Sequence, residues 1–222
     1  MTTKSTGACA ICHETVDKGR MFAHLRSCLE PSDVDGPQPL IQLRVEGGQA
    51  KAFWLHLDIK ADAKLASLDQ FLRDIWLECC GHLSSFTIRK VRYSLIPNDC
   101  FPEPGEKTLD VRIDRALGSS RTPFQYEYDY GSTTELRLAV TADRTGPRRR
   151  NAVRLLARNT EPQWPCSRPL CSRPATSICA VCVWEGEAYA CDRHATRHTC
   201  GESESWLPVV NSPRMGVCGY TG

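Results

Sequence analysis

Alternating hydrophobic and polar residues predict two β-hairpins in the middle of the chain. Between residues 40 and 59, two alternating runs flank a tight turn at Gly47-Gly48, and each run places its apolar side chains on one face. The same alternation returns at 124–130 and 136–140, on either side of a turn. Two shorter alternations, at 86–88 and 91–95, add two strands. This part of the chain is therefore predicted to form an antiparallel sheet.

One segment between the hairpins has helical periodicity. Apolar side chains recur every three or four residues from Leu68 to Cys79, and Ser67 with Gln70 three residues later predicts a capping box at the start. Residues 109–117 fit either a strand or a short helix. Because the strands come in hairpins with one long helix between them, the predicted class is α+β, an antiparallel sheet with a helix packed on one face.

A basic segment follows the second hairpin. Arg150, Arg154 and Arg158 recur at a spacing of four, which predicts a short basic helix over 148–158. A solvated helix face is the default interpretation, and contact with nucleic-acid phosphates is the alternative. The candidate nucleic-acid contacts are Arg148, Arg149, Arg150, Arg154 and Arg158.

Composition narrows the possible partners. The 222 residues are 41% hydrophobic and 24% charged, which is typical of a globular chain, and 28 Lys+Arg against 26 Asp+Glu leave a net charge of +2. This balance excludes a global attraction to nucleic acid or anionic membranes, so such a partner needs a local patch. No apolar run approaches the roughly 20 residues of a membrane span, and residues 1–7 lack the apolar centre of a secretory signal. We expect a cytoplasmic protein without a membrane partner.

Thirteen cysteines are the unusual feature of the composition. In a reducing cytoplasm, a surplus of thiols indicates metal binding more often than disulfides. Three cysteines lie in the first 28 residues and seven lie between Cys166 and Cys218. The chain therefore divides into a predicted finger (1–30), a linker (31–39), an α+β core (40–145), a basic helix and linker (146–165), and a C-terminal zinc module and tail (166–222).

The N-terminal finger has the spacing of a four-ligand zinc site. Two thiols two residues apart form a knuckle, and a His and a Cys on one helical turn complete a tetrahedral set. His13 is a rival ligand that would crowd the knuckle. The predicted ligands are Cys9, Cys12, His24 and Cys28.

The C-terminal module offers eight donors in 35 residues, enough for two ions. Sequential pairing would put the first four donors on one ion, interleaved pairing would alternate the pairs, and a single ion with spare thiols is a further alternative. The donors are Cys166, Cys171, Cys179, Cys182, Cys191, His194, His198 and Cys200. Their order resembles the cross-brace fingers of the B-box and MYND class, and the Cys-x2-His-x3-His-x1-Cys ending is similar to AN-1-type fingers. This resemblance implies the interleaved pairing. About three structural Zn²⁺ ions are thus expected in the chain.

Four segments of the core resemble, in order, the signature segments of the plasmid pRiA4b ORF-3-like family. They are F-W-L-H-L-D-I at 53–59, A-K-L-A-S-L-D-Q-F-L at 63–72, H-L-S-S-F at 82–86 and F-Q-Y-E-Y-D-Y-G-S at 124–132. Residues 157–162 and 207–220 also resemble finger-bearing prokaryotic members. The resemblance implies an α+β core in a prokaryotic protein of unsettled role, sometimes described as a mobile-element passenger. The chain departs from the family at Leu55-His56, where an Arg-Arg pair is usual, and after Gly131, where Asp-x-Trp-x-His is replaced.

Few residues outside the fingers suggest chemistry. His82 and Asp129 are weak candidates for an acid–base pair, although a His near a helix end and an Asp before a turn have ordinary structural roles. Cys79 and Cys80 are interpreted as core thiols at the helix end, and Cys218 has no assigned role.

Zinc with four protein ligands has no open position for an activated water. The leading functional hypothesis is therefore a non-enzymatic, zinc-stabilised module that contacts a protein partner. Nucleic-acid binding through the fingers and the arginine helix is the first alternative, and an acid–base enzyme with its site in the core cleft is the second.

Overall fold

A computed structural model describes residues 5–32, 36–95, 105–184, 188–198, 200 and 205–222. Across these ranges the chain is mixed α/β, 19% helical and 37% strand, with one large and mostly antiparallel sheet. The predicted antiparallel sheet is thus confirmed. The ten strands of this sheet are β1 (Thr6–Cys9), β2 (Thr15–Asp17), β3 (Gln38–Gly47), β4 (Trp54–Lys60), β5 (Ser84–Ile88), β6 (Val91–Ser94), β7 (Lys107–Thr108), β8 (Phe124–Tyr128), β9 (Thr134–Gly146) and β10 (Val153–Asn159).

The strand order is β2-β1-β10-β4-β3-β9-β8-β5-β6-β7, and among the described strands only β6 and β7 pair in parallel. Both predicted hairpins are present, as β3–β4 and β8–β9. The sheet extends beyond the predicted core, because β1 pairs with β10, where Gly7 faces Asn159. The N-terminal segment is therefore continuous with the main sheet, whereas the sequence suggested a separate finger. Residues 33–35 of the predicted linker (31–39) lie outside the described residues. Its last two residues belong to β3, which begins at Gln38.

Helices cover both faces of the sheet, whereas the sequence predicted one. The described helices are α1 (Lys18–Ser32), α2 (Leu65–Leu72), α3 (Ile113–Leu117) and α4 (Asp192–Ala195), and a π-helical turn, Arg73–Leu77, extends α2. Leu68 of α2 packs in the main core with Leu55 and Leu57 of β4, while Met21 of α1 packs with Trp54. Because Trp54 and Leu55 are neighbours on one strand, they point to opposite faces. No helix among the described residues is long and apolar enough to cross a membrane.

The start of α2 differs from the predicted capping box. The helix begins at Leu65, two residues before Ser67, and Lys64 precedes it without a side-chain cap. Its first free N–H groups are satisfied by tertiary contacts, because Leu65 N donates to Val111 O at 2.9 Å and Ala66 N to Leu109 O at 3.1 Å. A distant backbone segment thus replaces the side chain that a sequence pattern would supply.

The predicted basic helix at 148–158 is wrong, because this segment contains strand β10. The strand has a bulge between Leu155 and Ala157, so that Ala157 faces His56 and the intervening Leu156 is also buried. The bulge puts Arg154 and Arg158 on opposite faces, but in the sequence their spacing of four fits both the two-residue period of a strand and the period of a helix. That spacing imitates a helix in the sequence.

A second, three-stranded sheet forms the C-terminal module. Its strands are β11 (Ser177–Cys179), β12 (Tyr189–Ala190) and β13 (Trp206–Pro208), in the order β12-β11-β13, with a 3₁₀ turn at Cys182–Trp184. Ile178, Cys179 and Met215 join the main core cluster. The module therefore packs against the core and shares its apolar interior.

A buried polar network lies beneath the end of α2. Asp69, Arg73 and Ser84 are all buried. The Asp69 carboxylate accepts from Arg73 Nε at 2.8 Å, from Ser84 Oγ at 2.6 Å and from the Tyr126 hydroxyl at 2.7 Å. Arg73 Nη2 also donates to the carbonyl of His82 at 2.7 Å. The network thus ties the helix, two strands and the loop around His82 together.

His56 makes the stability of the fold depend on pH. Burial, followed by the nearby Arg44, lowers its pKa from 6.5 to about 4; Lys18 also lowers it, and Glu46 opposes them. Because the folded pKa lies below the unfolded one, its contribution is complete above pH 6.5 and is lost as the pH falls toward 4. The expected loss is up to about 3 kcal/mol. Urea unfolding at several pH values should show that the free energy of unfolding falls less steeply with acid in His56→Leu than in the parent. Groups other than His56 titrate in both proteins, so the difference between the two reports His56. Equal pH dependences would contradict this assignment.

Candidate metal centres

The four predicted ligands of the N-terminal finger come together in one group, called here the N-terminal cluster. Its donor atoms all lie within 4.8 Å of one another. The end of β1 and the following turn supply Cys9 and Cys12, while α1 supplies His24 and Cys28, four residues apart on one helix face. Cys9 Sγ lies 3.8 Å from Cys28 Sγ, and Cys12 Sγ lies 3.3 Å from His24 Nε2. The rival His13 is not in the group.

The eight predicted C-terminal ligands separate into two groups with the interleaved pairing. The first C-terminal cluster consists of Cys166, Cys171, Cys191 and His194, and the second C-terminal cluster consists of Cys179, Cys182, His198 and Cys200. The antiparallel pairing of β11 with β12 places the end of β11 on one side of the small sheet and the start of α4 on the other. Successive pairs of donors along the chain therefore belong alternately to the first and to the second group.

A fourth group, called here the tail cluster, was not predicted as a metal site. It consists of Cys79, Cys80, His82 and Cys218. The first three follow the π-helical turn, and Cys218 lies in the C-terminal tail, residues 210–222, which follows β13. Cys80 Sγ lies 2.9 Å from His82 Nε2 and 3.7 Å from Cys218 Sγ, and His82 Nε2 lies 3.2 Å from Cys218 Sγ.

The donor distances in all four groups match a tetrahedral metal site. Zn–S bonds of about 2.3 Å and Zn–N bonds of about 2.0–2.1 Å place two sulfurs about 3.8 Å apart, and a sulfur and a nitrogen about 3.5 Å apart. Between donors in direct contact, the sulfur–sulfur distances run from 3.5 to 4.0 Å and the sulfur–nitrogen distances from 2.9 to 3.5 Å, and every pair of donors within a group lies within 4.8 Å. All twelve described cysteines are free thiols. Each group contains three cysteines and one histidine and could hold a metal ion.

Backbone N–H donors lower the pKa of one cysteine in each of the three predicted clusters and so favour its thiolate. Burial raises the pKa of Cys9, but N–H groups of Cys12 and Ile11 donate to its sulfur and the pKa falls to about 7. Burial likewise raises the pKa of Cys166, but N–H groups of Arg168 and Cys191 bring it down to about 6. The pKa of Cys179 is lowered in the same way, against the effect of burial, by amides of Cys182 and Val181. The thiolate is the form of cysteine that binds metals.

In the tail cluster, side chains rather than backbone amides lower the pKa of a thiol. Burial raises the pKa of Cys79, but the guanidinium of Arg214 and the hydroxyl of Tyr128 act on its sulfur, and the net pKa is lowered. Arg214 Nη2 lies 3.6 Å from Cys79 Sγ. The positive charge of a buried arginine thus faces the ligands of this cluster.

His82 and Asp129, the weak acid–base candidates, are neighbours, since His82 Nδ1 lies 3.6 Å from Asp129 Oδ1. Their surroundings differ from those of a catalytic pair. The other ring nitrogen of His82 faces two thiols, and Asp129 accepts from Arg214 Nη2 at 2.6 Å and from Gly131 N at 2.9 Å. The carboxylate is held by these donors, and the imidazole belongs to the tail cluster.

The five candidate arginines do not form one surface. Arg148 and Arg150 are exposed in the loop before β10, and Arg149 beside them is half-buried. Arg154 registers with Asp58 and Arg158 with Leu55, so the bulge turns these two side chains to opposite faces. Arg158 Nη2 donates to the carbonyl of Asn211 in the tail at 2.5 Å.

The signal that sequence reasoning missed is the Cys79-Cys80-x-His82 triplet. It has ligand types at close spacing, but its fourth donor lies 136 residues further along the chain. With this triplet, twelve of the thirteen cysteines and four of the six histidines fall into Cys₃His groups. A count of donors in fours would have indicated the fourth site.

No protein-family model and no curated protein matches the chain. Among solved structures, the chain is similar to the protein of unknown function MM3350 from Methanosarcina mazei Go1, at 12% identity and a TM-score of 0.44. The similarity covers 54% of this chain and 68% of that chain. The pRiA4b ORF-3-like resemblance stays a prediction.

Proposed function

We propose that this protein is a structural zinc protein whose closed metal sites order both ends of the chain for contact with a protein partner. The observation that carries the proposal is the sorting of the predicted ligands into three Cys₃His groups with tetrahedral spacing. Thiolate-rich sets of this kind are typical of structural Zn²⁺.

The ligand count favours a structural role over catalysis. Four protein donors leave no position for water or substrate, so the ion neither generates hydroxide nor polarises a carbonyl. Zinc binding to small modules contributes on the order of 10 kcal/mol to their folding at neutral pH. The three short strands of the C-terminal module need such a contribution, because a small segment buries little apolar surface of its own.

The C-terminal module presents one fully exposed leucine beside a cavity with a mixed polar and aromatic lining. Leu170 is fully exposed between two ligands of the first C-terminal cluster, in a left-handed conformation with φ of 63°. The preceding Pro169 lines a cavity of about 290 Å³ together with Tyr189 and Trp206. A protein partner that covered this region would bury the side chain of Leu170, and the aromatic residues at the cavity are of a type enriched at protein contact sites. Nucleic-acid binding is less well supported, since the arginines do not share a face.

The test combines metal analysis with partner capture. Protein purified without chelators is expected to contain zinc, and Cys12→Ser and Cys171→Ser are each expected to lose one equivalent. Crosslinking in the native host should recover a protein whose yield falls for Leu170→Asp, with Val181→Asp as the matched exposed control, provided that all variants keep the zinc content of their parent. Absence of zinc would refute the proposal. A nucleic acid whose recovery falls with salt, together with no Leu170-dependent protein, would favour the alternative.

A further inference from the structure

We propose that the tail cluster binds a fourth zinc ion, which fastens the C-terminal tail to the core. This site goes beyond the proposed function, because it uses none of the residues of the two fingers. Its four donors lie within 4.8 Å of one another and comprise three thiols and one imidazole, as in the other clusters.

The surroundings of His82 are those of a metal ligand. Its Nε2 faces the thiols of Cys80 and Cys218, while Nδ1 faces the carboxylate of Asp129 at 3.6 Å. Metal-bound histidines characteristically place their second ring nitrogen near a carboxylate or carbonyl, which fixes the ring orientation. The N-terminal cluster has the same arrangement, with His24 Nδ1 3.8 Å from a carboxylate oxygen of Glu14.

Arg214 supplies the charge that such a site needs. Three thiolates and one Zn²⁺ carry a formal charge of −1, and Asp129 adds another negative charge. Arg214 is fully buried, and its Nη2 contacts both Asp129 Oδ2, at 2.6 Å, and Cys79 Sγ, at 3.6 Å. A buried cation between the carboxylate and the ligand shell offsets the negative charge that metal binding gathers there.

The tail adopts an unfavourable backbone conformation at the proposed ligand. Cys218 has φ of 51° and lies between two glycines, Gly216 and Gly219, that also have positive φ. A positive φ is uncommon for a residue other than glycine and persists when surrounding contacts enforce it. Coordination of the Cys218 sulfur is a contact of this kind, and it explains why a cysteine occupies this turn.

The tail cluster differs from the other three clusters in the sequence separation of its ligands and in their solvent exposure. Its donors come from segments 136 residues or more apart, whereas each finger closes within about 20 to 30 residues. The tail cluster has no buried ligand, whereas each of the other clusters has at least one. We therefore expect its ion to be the first that a chelator removes, and its loss to release residues 210–222, which follow β13, while the fingers stay folded.

The experiment is a zinc count on the full chain, purified under reducing conditions without chelators. The native protein is expected to hold four equivalents, and Cys218→Ser and Cys80→Ser three each. Cys100→Ser, which alters a cysteine outside the described residues, serves as the control and should keep four. Amide hydrogen exchange in residues 210–222 should rise by about tenfold or more in Cys218→Ser and stay unchanged in Cys12→Ser.

If Cys218→Ser fails to fold, a variant with a different ligand at the same position tests the site. Cys218→His keeps a donor at the position, so it should retain the fourth equivalent and a protected tail. Substitution of the native protein with ¹¹³Cd provides a further check, with four resonances expected and one missing in Cys218→Ser.

Four results would overturn this proposal. Three equivalents in both the native protein and Cys218→Ser would refute the fourth site while leaving the finger sites intact. Four equivalents in both would place the fourth ion elsewhere. A protein with two fewer free thiols, restored by reductant, would show a Cys80–Cys218 disulfide in place of the metal, although 3.7 Å separates the sulfurs here and a disulfide needs about 2.05 Å. Loss of every zinc in the native protein would refute the proposed function as well.

Discussion

Cys182→Ser is expected to remove one zinc ion and to unfold the C-terminal module while the ten-stranded sheet stays folded. The second C-terminal cluster joins β11, the 3₁₀ turn and the segment after α4. Three strands of two or three residues cannot hold themselves together without the metal, whose binding contributes on the order of 10 kcal/mol in comparable modules. Exchange protection in β11, β12 and β13 should therefore collapse.

The matched control is Val181→Ser, which changes an exposed side chain next to the ligand and leaves the sulfurs in place. This variant should keep both the zinc content and the exchange protection of the parent. If Cys182→Ser loses its ion but keeps β11–β13 protected, packing against Met215 and the main core is sufficient for the module, and the structural role of this ion is refuted.

Asp69→Ala is expected to lower the free energy of unfolding by about 3 kcal/mol, the lower end of the usual cost of breaking a buried ion pair, because Arg73 keeps a second carboxylate, Glu78, at 2.8 Å. Arg73 is buried and would lose the Asp69 carboxylate, and the hydroxyls of Ser84 and Tyr126 would lose their acceptor. Urea unfolding measures the change.

The matched control is Asp74→Ala, because Asp74 lies on the adjacent turn but is exposed, and its carboxylate accepts from the side-chain amide of Gln70 at 2.7 Å. An exposed contact of this kind contributes less than about 1 kcal/mol. The double variant Asp69→Leu/Arg73→Met should recover part of the loss, since it removes both charges together. Equal effects of Asp69→Ala and Asp74→Ala would contradict the buried network.

The parts of the fold that the sequence predicts are those encoded over short distances. The hairpins β3–β4 and β8–β9 follow from alternation and turn residues, and the N-terminal cluster follows from a knuckle and a helical turn. The start of α2 could not be predicted, because its N–H groups are satisfied by Val111 and Leu109 rather than by Ser67.

Two errors have a common physical origin in the three-dimensional structure. The spacing of four between the arginines fits a strand as well as a helix, and the pairing of β10 with β4 and β1, which makes this segment a strand, depends on residues far away in the sequence. The tail cluster escaped notice because a thiol at Cys218 meets His82 only after the whole core has folded. Local patterns contain neither kind of information.

The pairing of β1 with β10 determines the order in which the protein can assemble on the ribosome. The strand at Thr6–Cys9 has its main-sheet partner at Val153–Asn159, so about 150 residues must follow before that edge can close. At a synthesis rate of roughly 5–20 residues per second, the wait is about 10–30 s. During that interval the N-terminal ligands, complete once Cys28 has emerged, can bind metal and hold β1, β2 and α1 together, so that the edge of β1 that later pairs with β10 is the part of this unit left open until β10 is made.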